Sequence, residues 1–312
     1  MRKETIILVA AALAMLPLSC KKDETTETKP GLSGITISSA PAYVAKGQKL
    51  TMTIDVSDIT RSDETKDPGA IGLYWKVNEG NQITITEDIS AGTEYKVEYT
   101  PEELGTYSIT CCAYAVDNSF YSCSASTSFK AIDPAASLTG DIPVRQPGEK
   151  YAQFTSGGLT WMAENLYETA SGLSYNNCSV MDSVFGRYYT YNEALTACPS
   201  GWRLPTAAEF DALGTDSGSL MAAVSFLDSE IWPYNKEVSV TNATGFSALA
   251  VGYIDRTIIE TFVTGEHEYA MFWTSDKDGD LAQYRYLFAK DKEVHKGLGS
   301  PVSLALSVRC VK

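Results

Sequence analysis

The residues of this chain best able to do chemistry are seven cysteines, 39 acids and two histidines, and their spacing narrows what that chemistry is. Nucleophilic hydrolysis needs a serine or cysteine held beside a base. The sequence contains no Gly-x-Ser-x-Gly elbow, no His-Glu-x-x-His helix and no Cys-His motif. Paired carboxylates for glycoside cleavage are defined by a distance that a sequence does not carry. The chain therefore reads as non-enzymatic and without a cofactor. Zinc is disfavoured because the cysteines lack Cys-x-x-Cys spacing and only His267 and His295 are available, both on polar segments that read as solvent-facing. Asp276-Lys277-Asp278-Gly279-Asp280 sets alternate carboxylates around a glycine, which suits calcium. An EF-hand loop started there needs a glutamate where Leu287 stands. A hairpin turn between strands at 270–274 and 284–288 accounts for the same residues, so no metal is assigned.

Binding chemistry has more to work with. Eighteen tyrosines and ten phenylalanines supply faces for sugar rings or protein anchors. The segment from Asp216 to Ala243 is long and irregular, the kind of loop on which binding residues concentrate. Trp232, Tyr234 and Asn235 within it are the candidate ligand-binding residues. The net charge of −14 repels phosphate backbones and argues against nucleic acid as a partner.

These residues must be positioned by elements that begin with an address. Arg2 and Lys3 precede an apolar run from Ile6 to Leu18 that ends at Ser19-Cys20, the order of a secretory signal peptide over residues 1–19. The run is too short to span a bilayer, so membrane contact is expected only through a lipid anchor. Leu16-Pro17-Leu18-Ser19-Cys20 resembles a bacterial lipobox, although Pro17 is atypical, and this makes Cys20 the lipidated residue of a tether over 20–33. Lys22-Asp23-Glu24 resembles the acidic export signal of surface lipoproteins in some gut anaerobes. The alternative is a solvated linker facing the periplasm. Outer-membrane, surface-exposed localisation is the expectation.

Residues 34–132 alternate in short strands such as Leu50-Thr51-Met52-Thr53-Ile54 and Tyr95-Lys96-Val97-Glu98-Tyr99, separated by Gly, Pro, Asn and Asp clusters. About seven such strands suggest an all-β immunoglobulin-type sandwich. Pro101 to Thr110 is similar to the corner of bacterial Ig-like and PKD-like modules, which makes Tyr107 a corner tyrosine and Trp75 a core aromatic. Cys111 and Cys112 point to opposite faces of one strand, so only one of them can meet Cys123 on the next. Symmetry about Asp117-Asn118 favours Cys112–Cys123, with Cys111 a buried thiol. Pro134, Pro143 and Pro147 then mark a linker over 133–150 that reads as a hinge. Residues 151–312 form an α+β domain with two short helices, opened by capping boxes at Thr190 and Thr206 and ending before Pro199 and at Leu213-Gly214.

Four segments of this last domain carry a family resemblance. They are Gly158 to Leu166 (with Trp161-Met162-Ala163-Glu164-Asn165), Gly186-Arg187-Tyr188-Tyr189, Ala197 to Thr206 (with Cys198-Pro199-Ser200-Gly201-Trp202-Arg203-Leu204-Pro205), and Phe272-Trp273-Thr274-Ser275 with Ser307-Val308-Arg309-Cys310. Gly245-Phe246-Ser247-Ala248-Leu249 fits as well. Together they resemble the major paralogous domain FISUMP of surface lipoproteins, which is similar in fold to C-type lectins. That resemblance implies a C-type-lectin-like domain and a Cys198–Cys310 disulfide, while Trp161, Trp202 and Trp273, set beside small and apolar residues, read as core anchors. It leaves Cys178 an unpaired or sticky thiol. Asp182-Ser183-Val184 also resembles a short O-glycosylation acceptor. The sugar-and-calcium tripeptides of lectins are absent, and the family brings no established activity. The expected function is a non-enzymatic surface adhesion or binding module for a glycan or a surface or host protein, with the Ig-like domain as spacer. The alternative is an assembly subunit of a surface or fimbrial complex.

Overall fold

The computed structural model describes residues 30–62, 70–85, 94–233, 237–258 and 262–312. The signal segment, Cys20 and most of the tether lie outside them. In the first domain, β1 (Thr36–Ile37), β3 (Leu50–Asp55) and β6 (Glu94–Tyr99) form one antiparallel sheet. The other sheet runs β2 (Tyr43–Ala45), β8 (Cys123–Ile132), β7 (Gly105–Ala115), β4 (Ile71–Val77), β5 (Ile83–Ile85). Alternate residues face inward: Met52 and Ile54 from one sheet meet Leu73, Ile109 and Phe129 from the other. Trp75 is buried in this core. The Tyr107 hydroxyl donates to the Glu103 carbonyl at 2.9 Å while its ring stacks on Phe129, so it ties the corner as the sequence suggests.

The Cys112–Cys123 pairing does not form; both are free thiols. In the β7–β8 register Cys123 faces Ala113, and Cys112 faces Ser124. The turn is centred on Asn118, which takes a left-handed φ of 60°, rather than between Asp117 and Asn118. A slip of one residue sends every side chain to the opposite face. Cys112 consequently points away from Cys123. Cys111 is fully buried, its Sγ–H directed at the Ala125 carbonyl, and burial pushes its thiol up to about 11.

The linker carries structure of its own. Asp133 caps a short 3-10 turn at Pro134–Ala136 by accepting from the Ala135 amide, and β9 (Leu138–Gly140) follows. β9 pairs antiparallel with β14 (Val224–Phe226), which continues to β15 (Ser229–Glu230). What composition marks as a hinge is a strand added to the second domain. The rest of that domain comprises β10 (Gln153–Ser156), β11 (Leu159–Met162), β12 (Leu173–Ser174), α1 (Asp182–Phe185), β13 (Arg187–Thr190), α2 (Tyr191–Ala197), α3 (Ala207–Asp211), β16 (Ile254–Asp255), β17 (Tyr269–Asp278), β18 (Leu281–Phe288), β19 (Val294–Gly299) and β20 (Leu304–Leu306). β10–β11 is a hairpin, β17–β18–β19 a sheet, and β12–β13–β20–β16 another.

Both capping boxes are present: Thr190 and Thr206 accept from Glu193 and Glu209 amides, whose carboxylates return to the cap amides. α2 stops at Cys198 before Pro199, and α3 ends two residues earlier than the Leu213-Gly214 signal. α1 has no side-chain cap and no sequence signal announced it. The chain end returns beside β11, where the Met162 amide bonds the Cys310 carbonyl. There Cys310 is disulfide-bonded to Cys198, with Cα atoms 6.0 Å apart across 112 residues of sequence.

Candidate functional site

The residues singled out for ligand binding do not make a site together. Trp232 is only 2% exposed and its Nε1–H donates to the Ala248 carbonyl at 3.0 Å, so its ring is core and no ligand reaches it. The physical reason is that an indole presents too much apolar area to leave exposed when a polar partner for its N–H is available inside. Tyr234 and Asn235 lie outside the described residues. Trp161 and Trp273 are fully buried, whereas Trp202 is half-buried beneath the Lys312 ammonium, 4.4 Å from its ring centroid. Asp276 caps α3 from a distant strand by accepting from the Ala207 amide, and β17 and β18 close directly across Gly279-Asp280. Among the described residues no group of three acids, histidines or cysteines is placed to hold a metal. Cys178 is a free thiol, but it is buried and donates to the Tyr43 carbonyl at the junction of the two domains.

The geometry that can bind something lies elsewhere, where the linker crosses the second domain. A cleft of about 540 Å³ opens there between Pro134, Leu138, Ile142 and Arg145 of the linker on one side and Glu164, Val184 and Leu249 on the other. Asn165, Ser247 and Arg309 contribute its polar lining, and all three are buried. Each comes from a different part of the chain: Asn165 follows β11, Ser247 lies in the irregular stretch after β15, and Arg309 follows β20. Gly186 completes the wall at a φ of 81°, where a Cβ would sit 2.3 Å from the Cβ of Asn165.

Arg309 organises this lining. Its Nε donates to Asn165 Oδ1 at 2.8 Å, one Nη to the Met162 and Phe246 carbonyls, and the other to the Ser247 carbonyl at 2.9 Å. Ser247 holds a left-handed φ of 56°, which turns two successive carbonyls toward one guanidinium. A non-glycine residue there stores strain of about 1–3 kcal/mol, retained because the surrounding bonds fix it. The Asn242 side chain braces the turn: its carbonyl accepts from the Ser247 amide and its NH₂ donates to Ser247 Oγ and to Asp141 of the linker. The rings of Phe246 and Phe272 lie 4.6 and 5.5 Å from the guanidinium carbon. Among the described residues no carboxylate bonds to Arg309, and burial, opposed by the charge of Glu164, pulls its pKa down to about 9. At the mouth, Arg145 grips Glu164 through Nε and Nη2, which raises the Arg145 pKa, and Glu164 also accepts from the Ala152 amide.

Residue types and spacing could not reveal this cleft, because its lining is drawn from segments more than 100 residues apart. One signal was nonetheless available. Asn165, Gly186, Ser247 and Arg309 all belong to the segments that carry the family resemblance.

A family model for the Fibrobacter succinogenes major domain matches residues 155–312, just over half the chain. The chain belongs to this family. The match begins within β10 of the Fibrobacter succinogenes major domain and runs to the last residue, so it contains the polar lining of the cleft but none of its linker wall. No curated protein matches the chain. Among solved structures, it is similar to the PKD domain of an M14-like peptidase from a Thermoplasmatales archaeon, at 17% identity and a TM-score of 0.25, covering 33% of this chain and 93% of that one. It is similar to the CARDB domain of a Pyrococcus furiosus protein at 13% identity and a TM-score of 0.26, covering 33% and 95%. It is also similar to the Yersinia pseudotuberculosis adhesin InvE at 12% identity and a TM-score of 0.25, covering 89% and 70%. Such scores assign nothing, and the sandwich stands on its own strand pairing.

Proposed function

We propose that this protein is a non-enzymatic binding module, lipid-anchored through Cys20 at the outer membrane and displayed on the cell surface, which captures a glycan or a host or surface protein in the cleft beside Arg309. In this reading the major domain is C-type-lectin-like. Its support is the paired chain ends at β11 and residues 310–312, the short helices, and the disulfide from the end of α2 to Cys310. The observation that carries the function is the cleft itself: an amphipathic hollow large enough for a small ligand or one residue of a polymer.

Its two carboxylates are already engaged, which favours holding a ligand over transforming one. Glu164 is clamped by Arg145, and Asp133 caps the linker turn. The assembly reading loses one of its supports, because Cys178 is buried between domains and cannot cross-link copies. The test is a glycan and host-matrix protein array probed with soluble residues 30–312, which retain the linker wall, with and without calcium. A specific hit that Ser183→Trp abolishes, by filling the mouth from the exposed side of α1, is the expected result. A hit indifferent to that change moves binding away from the cleft. Protease treatment of intact cells checks the display: a chain that stays whole until the outer membrane is broken sinks adhesion.

A further inference from the structure

We propose that the cleft takes a carboxylate flanked by an apolar group, as at the free C-terminus of a peptide ending in an apolar residue, with the carboxylate seated at Arg309. This rests on the cleft being the binding site. The first observation is that, among the described residues, no carboxylate bonds Arg309. Arg145, Arg187, Arg203 and Arg285 each hold a carboxylate, from Glu164, Asp182, Glu209 and Asp211 respectively. Arg285 is as deeply buried as Arg309 and has a bidentate acid partner. Among the described residues Arg309 bonds only neutral oxygens, and Glu164 acts on it only through space.

A guanidinium has five N–H groups, and those four bonds leave one Nη2–H unclaimed. A buried cation with an open donor is stabilised by an anion more than by any neutral group, because little water screens it. Burial depresses the Arg309 pKa, and Glu164 at the mouth opposes that shift through space without bonding to it. At the mouth, Arg145 commits Nε and Nη2 to Glu164 and leaves Nη1 for a second bond.

The apolar half of the ligand follows from the walls. Pro134, Leu138, Ile142, Val184, Val224 and Leu249 give the cleft apolar walls beside its polar groups. A uronic acid, hydroxylated all round, would leave these walls facing polar groups, whereas an alkyl or aryl flank removes them from water.

The experiment is isothermal titration calorimetry of soluble residues 30–312 with sodium hexanoate, hexanamide and glucuronate. Hexanoate is expected to bind saturably, hexanamide about tenfold more weakly or not at all, and glucuronate not measurably. Arg309→Gln removes the anchor and is expected to unfold part of the domain, so Arg145→Ala and Ser183→Trp carry the site test. The first should weaken hexanoate and the second abolish it. Equal binding of hexanoate and hexanamide overturns the anionic class, and binding of glucuronate as tight as hexanoate overturns the apolar flank. If no probe binds while an array hit is still lost in Ser183→Trp, the cleft survives as the site and the carboxylate inference falls. If Ser183→Trp leaves every array hit intact, the reading of the cleft itself falls first.

Discussion

Arg309 and Trp232 show how far a residue's role departs from its type. Arg309, beside a disulfide cysteine near the chain end, is a buried hub that ties together two distant stretches of the chain, 162–165 and 246–247. Removing it as Arg309→Met leaves three carbonyls and an amide oxygen unpaired in the interior. We expect a loss of about 3 kcal/mol or more, measured by urea unfolding, because orphaned buried acceptors each cost about 1–3 kcal/mol. Trp232 makes the opposite journey, from candidate contact to core. Trp232→Ala is expected to lower stability by about 3–5 kcal/mol, the range for large aromatic truncations. Trp232→Phe, which loses only the Nε1–H bond to Ala248, should cost less and leave ligand binding as it was.

At the scale of elements, α3 is fixed at its start by a capping box whose glutamate also meets Arg203. That arginine, together with the Thr206 amide, holds the Glu209 carboxyl down to about 2, below its ordinary value of 4.5. Because the folded value is depressed, the stabilisation is present above pH 4.5 and lost as pH falls toward 2. Acid unfolding followed by circular dichroism should therefore begin at higher pH in the native chain than its neutral-pH stability alone implies, and Glu209→Gln should flatten that part of the curve. Thr206→Ala is expected to cost about 1 kcal/mol at neutral pH. The β7–β8 hairpin carries a separate test. Non-reducing peptide mapping should recover Cys198–Cys310 as a linked pair, and Cys112 and Cys123 as thiols that alkylate after unfolding. A linked Cys112–Cys123 peptide would refute the register described here.

In the whole molecule the two domains meet through more than a flexible spacer. Ile132, at the end of β8, belongs to the core of the second domain. The Tyr43 ring packs edge-on against Phe226 at 5.4 Å, while its carbonyl accepts from Cys178. β9 zips the linker to β14, and Arg145 clamps its far end to Glu164. The major domain without its linker, residues 151–312, would expose Val224 and Leu249 and lose one wall of the cleft. We expect this fragment to melt at a lower temperature than residues 133–312 and to bind no array ligand, which a thermal melt and the same array will check.

What this sequence determined by itself is what depends on near neighbours. The two capping boxes, the strand alternation of the sandwich and the corner at Tyr107 involve residues within about four positions of one another, so their chemistry is written in short words. The family segments added the disulfide by resemblance. Tertiary structure alone decided the rest, because each remaining outcome turned on residues far apart in the chain. The hairpin register hinged on the turn centring on a left-handed Asn118 rather than between Asp117 and Asn118, a shift that reversed the face of Cys112. The linker became a strand only because β14, more than 80 residues later, offered it an open edge. The cleft exists because Asn165, Ser247 and Arg309 are closed around one buried charge, and no local pattern records where a guanidinium will find its oxygens.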